Sequence, residues 1–575
     1  MLIWEFIWEI RYYKGVTQTD TPDGKHTLIA ELPYNAQVTP YLKISAHAGE
    51  RIEIETDDYM VGGATPSVRA EYITKEGTQE YESLGWMNGH EVHYTAPPDV
   101  HFLEVKYRET GYNADFTGSF KCDDPALDTL WEKARRTLYV TMRDNYMDCP
   151  DRERAQWPGD MVNEVGETFY VFDAKKGPLL AKKGIHEIAR WQRDDHTLYG
   201  PVPSGKSTED ARKDANDGKW NVELPVQMLA TVGKYGFWTY YWYTGDRQTI
   251  VDVYPHVRDY LRVWKLNDDG LVIHRKGDWD WEDWGTNFDS AVLDSAWYYL
   301  ALQGAEKMAA LCGQDADIAE WQAREKTIAA NFNKKFWDGK EYRSAAYKGD
   351  TDDRANALAV VAGMAGPDKY PALREVFATH RNASPYMEKY VLEALYLMGA
   401  PDQAMQRMRE RWKAQIDSPL TTLWEGWGIG KNGYGGGSYN HAWSGGALTA
   451  LSQYAAGVAP EAAGFARYHV LPQPGALISI RAVVSTPKGN IEVEEKQSTG
   501  LFELNLVAPQ GAAGIVGIPE EAGRRVQRVE VNGKLLWERG GTLTPGANCR
   551  FIGEDDHYVR FSVAPGKWQF ECVAK

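Results

Sequence analysis

The sequence predicts a multidomain protein of α and β structure, in which a β-sandwich, a helical barrel and a second β-sandwich follow one another along the chain. Three observations lead to this prediction. The chain has 575 residues, too many for one hydrophobic core. Both ends alternate apolar and polar residues, as strands do, whereas the middle carries apolar residues at helical spacing. An apolar fraction of 43% is typical of packed domains rather than disorder.

The N-terminal β-sandwich is expected over residues 1–120. The segments YLKISAHAGERIEIETDDY and EVHYTAPPDVHFLEVKYRET alternate apolar and polar residues, with Gly, Pro and Asn between the runs. This pattern favours antiparallel strands.

The helical region is expected over residues 121–460. Asp123 or Asp124 is suited to cap a helix that begins at Pro125. Later stretches show helical spacing, and several end in Gly or just before Pro. Allowing roughly 25–30 residues for each helix with its loop, the region holds about twelve helices. Clear examples are DSAWYYLALQGAEKMAALCG, DIAEWQAREKTIAANFNKKFW, ANALAVVAGMAG, MEKYVLEALYLMG and GGALTALSQYAAG.

The second β-sandwich is expected over residues 461–575, where strand-like alternation returns. VNGK and TPKGN have the composition of hairpin turns. The chain carries five cysteines and none forms a CxxC pair, so neither a zinc site nor a disulfide framework is predicted. Cys549 and Cys572 share this domain, and a bridge between them is the one pairing left open.

Charge excludes several classes of partner. The net charge is −17 and no Lys/Arg-rich block is present, which argues against nucleic acid and anionic membranes. No apolar run reaches membrane-spanning length, so no membrane insertion is predicted. The start, MLIWEFIWEIRYYKG, lacks the basic region and cleavage site of a signal peptide. The compartment (cytoplasmic, periplasmic or secreted) and the oligomeric state stay undetermined.

The aromatic content is high, with 22 Trp and 33 Tyr, and many of them lie in polar, Gly-rich surroundings. Core packing explains many such residues. Sugar binding is the other common use, because these rings present an apolar face beside a polar group.

One stretch, MDCPDRERAQWPGD (Met147–Asp160), concentrates charge beside Trp and Pro. A solvated helix face rarely carries Pro150, Trp157 and Pro158. Two interpretations are open: an ion-pair network that ties one loop to its neighbours, or an acid–base site. The charged residues are Asp148, Asp151, Arg152, Glu153, Arg154 and Asp160.

Local chemistry gives part of the answer. Pro158 predicts the start of a helix, whose free N–H groups and dipole would keep Asp160 ionised. Like charge and desolvation raise the pKa of a carboxyl group such as Glu153, whereas Arg152 and Arg154 lower it. The sign of the net shift is therefore open.

The order D-C-P-x-R-E-R-x-x-W-x-G-D, residues 148–160, resembles the acid-bearing motif of the inverting α-L-rhamnosidases of glycoside hydrolase family 78. In that family an (α/α)6 barrel is flanked by β-sandwich domains, which is the order predicted above. The resemblance implies that Glu153 is the general acid. It also implies that the rhamnose subsite is lined by Asp148, Arg152, Trp157 and Asp160.

A second segment, SPLTTLWEGWG (Ser418–Gly428), resembles the T-T-x-W-E loop of the same family. The match implies that Glu425 is the general base and that Trp424 binds substrate. Downstream, GGGSYNHAWSGG resembles the family's S-x-N-H segment, which makes His441 a sugar contact. A structural, helix-capping histidine is the alternative.

The Trp-rich loop GDWDWEDWG (Gly277–Gly285) resembles the family's G-D-W loop. The resemblance implies that Asp278 bonds sugar hydroxyls and that an indole of this loop walls the pocket. DGKWNVELP adds Trp220 as a further candidate, with a core position as the alternative. Which indole of the loop faces the pocket is open among Trp279, Trp281 and Trp284.

The resemblance covers roughly residues 120–470 and is sharp at the two carboxylate loops. The N-terminal portion is short for the family, and many members have another residue where Pro158 stands. The implied reaction is hydrolysis, with inversion, of terminal α-L-rhamnose from an oligosaccharide, polysaccharide or glycoside. It needs two carboxylates about 6.5–9.5 Å apart and neither a cofactor nor a metal. DWDWED and DDRAN contain oxygen ligands but lack EF-hand spacing, so no metal is predicted.

Other activities on an (α/α)6 barrel are the nearest alternatives: a different α-L- or β-glycosidase, a lyase or a phosphorylase. A lyase would use a Tyr/His base and groups that neutralise a uronate, and a phosphorylase would need a basic phosphate pocket. The acidic centre disfavours both. A further class is a catalytically inactive sugar-binding homologue, which would require Glu153 or Glu425 to be misplaced.

Overall fold

The computed structural model describes residues 9–57, 69–203, 222–430, 437–520, 525–541, 546 and 548–574. The chain divides into two compact units. The first consists of Met1–Asn113, Glu132–Ala155 and Trp412–Ser444. The second consists of Ala114–Trp131, Gln156–Arg411 and Gly445–Lys575. Trp220 lies outside the described residues.

The first unit is built on an antiparallel sheet, as the alternating sequence predicts. Its longest strand, β3, pairs with four other strands and runs through the middle of the sheet. Alternate side chains of β3, including Val38, Leu42 and Ile44, are fully buried. The described strands are β1 (Ile10–Arg11), β2 (Gly15–Asp20), β3 (His26–Ala46), β4 (Arg51–Thr56), β5 (Arg69–Ile73), β6 (Gly77–Glu82), β7 (Met87–Ala96) and β8 (His101–Thr110).

Helices dominate from residue 125 to residue 450, again as predicted. Fourteen α-helices lie in the described part of this region, two more than the rough sequence count. They are α1 (Pro125–Val140), α2 (Pro158–Val171), α3 (Gly177–Arg190), α4 (Pro225–Val232), α5 (Thr239–Thr244), α6 (Arg247–Val263), α7 (Ser290–Cys312), α8 (Asp315–Phe336), α9 (Asp353–Val361), α10 (Tyr370–Thr379), α11 (Pro385–Leu397), α12 (Pro401–Arg411), α13 (Lys413–Asp417) and α14 (Gly446–Ala450).

The helix starts follow the local sequence. The Asp124 carboxylate accepts hydrogen bonds from the Ala126 and Leu127 N–H groups at 2.9 and 3.4 Å, so it caps α1, which begins at Pro125 as predicted. Pro158 likewise opens α2. Proline suits this position because its fixed φ is helical and its missing N–H would have no partner in the first turn.

Six helices of the second unit contact one another in a cycle. Helix α2 packs on α4, α4 on α7, α7 on α9, α9 on α11, α11 on α14, and α14 returns to α2. Their contacts are aromatic and aliphatic; Trp297 of α7, for example, meets Tyr390 of α11 with ring centroids 4.9 Å apart.

A buried ion cluster joins three helices of this unit. Arg407, 1% exposed, pairs with Asp353 at 2.6 Å and with both oxygens of Glu388, and both acids are fully buried. The same guanidinium donates to the carbonyl oxygens of Phe377 and His380 at 2.7 and 2.9 Å. Desolvated charges are tolerated only when paired and hydrogen-bonded in this way.

Replacing Arg407 with Met is therefore expected to lower the free energy of unfolding by about 3–5 kcal/mol, because Asp353 and Glu388 would be left buried without their closest cation, with Arg411 3.6 Å from Glu388. The control Arg409→Met, on the same helix but 40% exposed and paired with Asp124, should cost about 1 kcal/mol or less. Urea denaturation followed by circular dichroism measures both. Equal losses in the two variants would contradict the assignment of the buried cluster as a strong stabilising feature.

Two further sheets follow the helices. One has the order β10-β11-β15-β19-β18, and the other β17-β16-β20-β14-β13-β12-β9, with β9 contributed from before α1. The VNGK turn joins β16 to β17 with positive φ at Asn532 (51°) and Gly533 (72°), and TPKGN joins β12 to β13, so both predicted hairpins are confirmed. The strands are β9 (Ser119–Cys122), β10 (Val458–Pro460), β11 (Arg467–Val470), β12 (Ser479–Thr486), β13 (Gly489–Ser498), β14 (Leu501–Ala508), β15 (Ala513–Pro519), β16 (Val526–Val531), β17 (Lys534–Glu538), β18 (Cys549–Glu554), β19 (Tyr558–Val563) and β20 (Gly566–Ala574).

The five cysteines are all free thiols, so no bridge joins Cys549 to Cys572. No described helix combines the length and the apolar character needed to cross a membrane.

Candidate active site

The acid-bearing loop belongs to the first unit, and hydrogen bonds between Asp148 and Ala155 join its two ends. The Asp148 N–H donates to the Ala155 carbonyl oxygen at 2.9 Å, and the Ala155 N–H donates to the Asp148 carboxylate at 2.9 Å. Arg154 adopts φ 54°, in the left-handed region that non-glycine residues rarely occupy. The main chain therefore turns sharply directly after Glu153, the predicted acid.

Glu425, the predicted base, is fixed by a second loop of the same unit. Its N–H donates to the Ser438 carbonyl oxygen and its carboxylate accepts the Ser438 N–H, both at 2.9 Å. The Trp443 indole N–H donates to the Glu425 carbonyl oxygen at 2.9 Å. With a side chain only 5% exposed, the carboxylate has one well-defined orientation.

Arg152 bridges the two predicted catalytic carboxylates. Its Nε lies 3.2 Å from Glu153 Oε1 and its Nη2 lies 3.4 Å from Glu425 Oε2. Because these two nitrogens of one planar guanidinium are about 2.3 Å apart, the two contacted oxygens are at most about 9 Å apart. Burial works against the charge of Arg152, but acidic neighbours that include Glu425 and Glu153 raise its pKa above the ordinary value, so the bridge is cationic.

The Cys149 side chain supports this loop from inside. It is fully buried, and its Sγ donates to Asp148 Oδ2 at 3.0 Å. Burial raises the pKa of the Cys149 thiol well above its ordinary value, so the thiol stays protonated. Asp148, Cys149 and His441 bring ligand atoms within 4.8 Å of one another, yet the thiol proton already engages Asp148.

Asp151 is a site residue that the sequence did not single out. Its Oδ2 accepts hydrogen bonds from Ser438 Oγ at 2.6 Å and Asn440 Nδ2 at 2.9 Å, and its Oδ1 accepts one from Asn88 Nδ2 at 3.2 Å. Burial raises the pKa of Asp151 to about 6. The carboxylate thus ties the acid loop to the segment that holds Glu425, and to strand β7.

Asp151→Asn is expected to lower kcat by about 10²-fold with little change in KM, because an NH₂ group would face donors and displace the loops by a fraction of an ångström to an ångström. The comparison is Asn88→Ser, which removes one of the three hydrogen bonds and should cost less than Asp151→Asn. Steady-state kinetics measure both, on an aryl rhamnoside, the type of substrate that the sequence resemblance implies. A kcat equal to that of the wild type, or equal losses in the two variants, would contradict a positioning role.

His441 lies beside the predicted base as a neutral ring. It is 2% exposed, its Nδ1 is 3.8 Å from Glu425 Oε2, and its ring packs on Trp443 with centroids 4.4 Å apart. Burial lowers the pKa of His441 to about 4, against the opposing influence of Glu425. A neutral imidazole can donate or accept a hydrogen bond, so the predicted sugar contact remains a prediction.

This pKa has a consequence for stability. A histidine whose pKa is lower in the folded state stabilises the protein fully above about pH 6.5, and the contribution is lost as pH falls towards 4. The wild type should lose on the order of 2–3 kcal/mol of its free energy of unfolding between pH 6.5 and 4 because His441 must be protonated, and His441→Gln should not show this loss. Thermal melts across this range test it, with His47→Gln, at a side chain 73% exposed, as the control expected to follow the wild type. Parallel curves for all three proteins would refute the prediction.

The second unit holds a cluster of indoles. Trp279 lies 6.2 Å from Trp157 and 6.1 Å from Trp284 between ring centroids, and Trp281 lies 5.8 Å from Tyr386. Trp281 is 5% exposed and Trp157 is 7% exposed, whereas Trp279 is 38% exposed. Of the three candidates in the loop, Trp281 therefore packs as a core residue, and Trp279 is the ring most accessible to a ligand.

The remaining predicted residues have defined surroundings. Asp160 lies in the first turn of α2 and is 3% exposed. The Asp278 carboxylate accepts hydrogen bonds from Arg193 Nη1 at 2.7 Å and from the Glu223 N–H at 2.9 Å, so one of its oxygens is already engaged. Trp424 meets Tyr439 edge to face with centroids 5.3 Å apart. The sugar-binding roles of all three stay predictions.

A match to a family model places the chain in the six-hairpin glycosidase class. Residues 115–454 match the family model described as bacterial alpha-L-rhamnosidase 6 hairpin glycosidase domain, and residues 457–533 match the bacterial alpha-L-rhamnosidase C-terminal domain. The chain belongs to this bacterial α-L-rhamnosidase family.

Several known proteins are similar to this chain. A protein of Streptomyces avermitilis named alpha-L-rhamnosidase is 24% identical in an alignment 501 residues long, which covers 84% of this chain and 45% of that protein. The structure of a GH78 family rhamnosidase of Bacillus sp. GL1 is 23% identical with a TM-score of 0.76, covering 88% of this chain and 54% of that one. The Streptomyces avermitilis enzyme complexed with L-rhamnose is 22% identical with a TM-score of 0.79, covering 98% and 53%. This chain thus spans about half the length of these relatives.

Proposed function

We propose that this chain is an inverting α-L-rhamnosidase that releases terminal α-L-rhamnose from glycosides or rhamnose-containing glycans. Glu153 acts as the general acid and Glu425 as the general base. The observation that carries the proposal is the bridge that Arg152 makes between these two carboxylates, each on its own loop. The upper limit of about 9 Å on the separation of the contacted oxygens is compatible with the spacing of inverting enzymes, about 6.5–9.5 Å.

The chemistry requires the two carboxylates to differ in role. Glu153 protonates the glycosidic oxygen as the bond to the leaving group breaks. Glu425 takes a proton from a water on the opposite face of the sugar, and that water attacks the anomeric carbon through an oxocarbenium-like transition state. The contacts to Ser438 and Arg152 hold the Glu425 carboxylate in one direction, as a base acting on a single bound water requires.

Polar and aromatic groups supply the binding side of the proposal. Asp148 and the neutral His441 ring, both buried in the first unit, are suited to bond sugar hydroxyls. The family resemblance adds an indole of the Trp-rich loop, which would cover the apolar face and methyl group of a deoxy sugar, and Trp279 is the most accessible indole of that loop. The family resemblance adds Trp157 and Asp160 to the residues proposed to contact rhamnose.

The proposed domains are an N-terminal β-sandwich over residues 1–120, a catalytic (α/α)6 barrel over 121–460 and a C-terminal β-sandwich over 461–575. The cycle of contacts from α2 through α4, α7, α9, α11 and α14 supports an (α/α)6 barrel for the central part. The acid loop precedes the first helix of that cycle and Glu425 precedes the last.

Substrate selectivity tests the sugar assignment. We expect kcat/KM for p-nitrophenyl α-L-rhamnopyranoside to exceed that for the α-D-mannopyranoside, β-D-glucopyranoside and α-L-fucopyranoside by at least about 100-fold, because a site that bonds specific hydroxyls rejects misplaced ones. The same leaving group throughout keeps the departure step constant. A higher kcat/KM on any other glycoside of the panel would overturn the rhamnosidase proposal.

A further inference from the structure

A second cluster of potential ligands lies in the second unit, apart from the two carboxylate loops. The ligand atoms of His274, Glu282 and Asp294 all lie within 4.8 Å of one another. They come from three segments: the stretch before the Trp-rich loop, that loop itself, and the second turn of α7. No spacing in the sequence links them.

Two buried oxygens in this cluster have no partner within the described part of the chain. Glu282 Oε2 and Asp294 Oδ1 accept no hydrogen bond from the described residues. Water cannot readily replace the missing partners, because Glu282 is only 7% exposed and Asp294 is fully buried. A buried carboxylate oxygen without a partner carries a large desolvation cost. A bound cation would remove this cost.

The histidine alone does not meet that need. His274 Nδ1 lies 2.8 Å from Asp294 Oδ2, and its Nε2 lies 3.2 Å from Asp280 at the solvent side. These contacts engage the other Asp294 oxygen and leave both Asp294 Oδ1 and Glu282 Oε2 unsatisfied. A simple histidine–carboxylate ion pair therefore explains only part of the arrangement.

The size and chemistry of the cluster fit a metal ion. Bonds of about 2.0–2.2 Å put two ligand atoms of one zinc ion at most about 4.4 Å apart. The ligand atoms of this cluster lie within 4.8 Å of one another, so small side-chain shifts bring them onto one ion. An imidazole nitrogen combined with carboxylates favours zinc or manganese, whereas magnesium and calcium prefer all-oxygen sites. We propose that His274, Glu282 and Asp294 bind one divalent transition-metal ion, while Asp280, which faces the other ring nitrogen of His274, orients the imidazole from the solvent side.

The site would have a structural role. The Trp-rich loop carries Asp280 and Glu282 as well as Trp279, and Asp294 belongs to α7. A shared ion would fasten that loop to the helix and so restrict the accessible indole. The proposal does not depend on the hydrolytic reaction, because neither proposed catalytic carboxylate takes part.

Metal content tests the proposal directly. Wild-type protein, stripped with a chelator and dialysed separately against Zn²⁺, Mn²⁺ or Ca²⁺, is analysed by elemental mass spectrometry. We expect one Zn²⁺ or Mn²⁺ per chain and a higher melting temperature in the loaded form, because the ion binds the folded state. Glu282→Gln and His274→Gln should weaken binding at least about 100-fold, since each removes a ligand.

A matched control separates a specific site from general acidity. Glu325 also carries a buried oxygen without a partner in the described residues, yet it belongs to no ligand cluster of the described chain, so Glu325→Gln should bind metal like the wild type. If Glu282→Gln does not fold, His274→Gln decides, because its side chain is 32% exposed. Wild type that takes up none of the ions or only Ca²⁺, or variants that load as the wild type does, would overturn the proposal.

Discussion

Glu425→Gln is expected to lower kcat on every rhamnoside by roughly 10³-fold, irrespective of the leaving group. The base activates the attacking water, and that step is common to all substrates. Glutamine has the same shape and keeps a carbonyl oxygen for the Ser438 N–H, but it cannot accept a proton from water. The loss should therefore fall on kcat, with KM changed little.

The control is Glu410→Gln, at a glutamate of α12 that pairs with Arg381 and whose side chain is 47% exposed. It should keep wild-type kinetics. Comparison of an aryl rhamnoside with a rhamnosyl disaccharide shows whether the loss is uniform. A Glu425→Gln enzyme that retains more than about a tenth of the wild-type kcat would contradict the assignment of the base.

Glu153→Gln should produce a different pattern, in which the loss depends on the leaving group. A sugar or alkyl alcohol needs protonation as it departs, so kcat/KM on a rhamnosyl disaccharide should fall by about 10³–10⁴-fold. Dinitrophenolate is a stable anion and departs with little help, so the loss on dinitrophenyl rhamnoside should be about 10-fold or less. The basic limb of the pH profile should disappear in the variant, because it reports the loss of the acid's proton.

The two variants are most informative together. A series of aryl rhamnosides with leaving groups of decreasing acidity should give a steep rate dependence for Glu153→Gln and a shallow one for the wild type. Glu425→Gln should stay parallel to the wild type. Equal losses of Glu153→Gln across the series would show that this residue supports the fold or the binding site and is not the acid.

Features that depend on neighbouring residues were predictable from the sequence. Asp124 and Pro125 start α1, Pro158 starts α2, and Asn532-Gly533 form a hairpin turn, as predicted. Each of these depends on the conformational limits of proline, the positive φ tolerated by Asn and Gly, or a side-chain cap within three residues. No distant contact is needed for any of them.

Features that depend on the tertiary fold were not predictable. Asp151 looked like one more acid of a charged loop, because its partners Ser438 and Asn440 lie 287 and 289 residues away. Trp279 and Trp281 differ by two positions in one loop, yet one is 38% exposed and the other 5%, which no local pattern distinguishes.

The same limit applies to the metal and disulfide predictions. DWDWED contains oxygen ligands without EF-hand spacing, so the sequence predicts no ion. The cluster for which a metal is proposed could not be recognised from the sequence, since His274 and Asp294 approach Glu282 from other segments. Cys549 and Cys572 share a region of the chain, yet both are free thiols.

The stereochemistry of the released sugar tests the central claim most directly. Proton NMR of wild-type protein acting on p-nitrophenyl α-L-rhamnopyranoside follows the anomeric signals during the first minutes, before mutarotation. An inverting reaction by Glu153 and Glu425 predicts that β-L-rhamnose appears first and that the α-anomer grows in later. If α-L-rhamnose is the first product, the reaction proceeds with retention, and the assignment of Glu425 as a base acting on water is wrong.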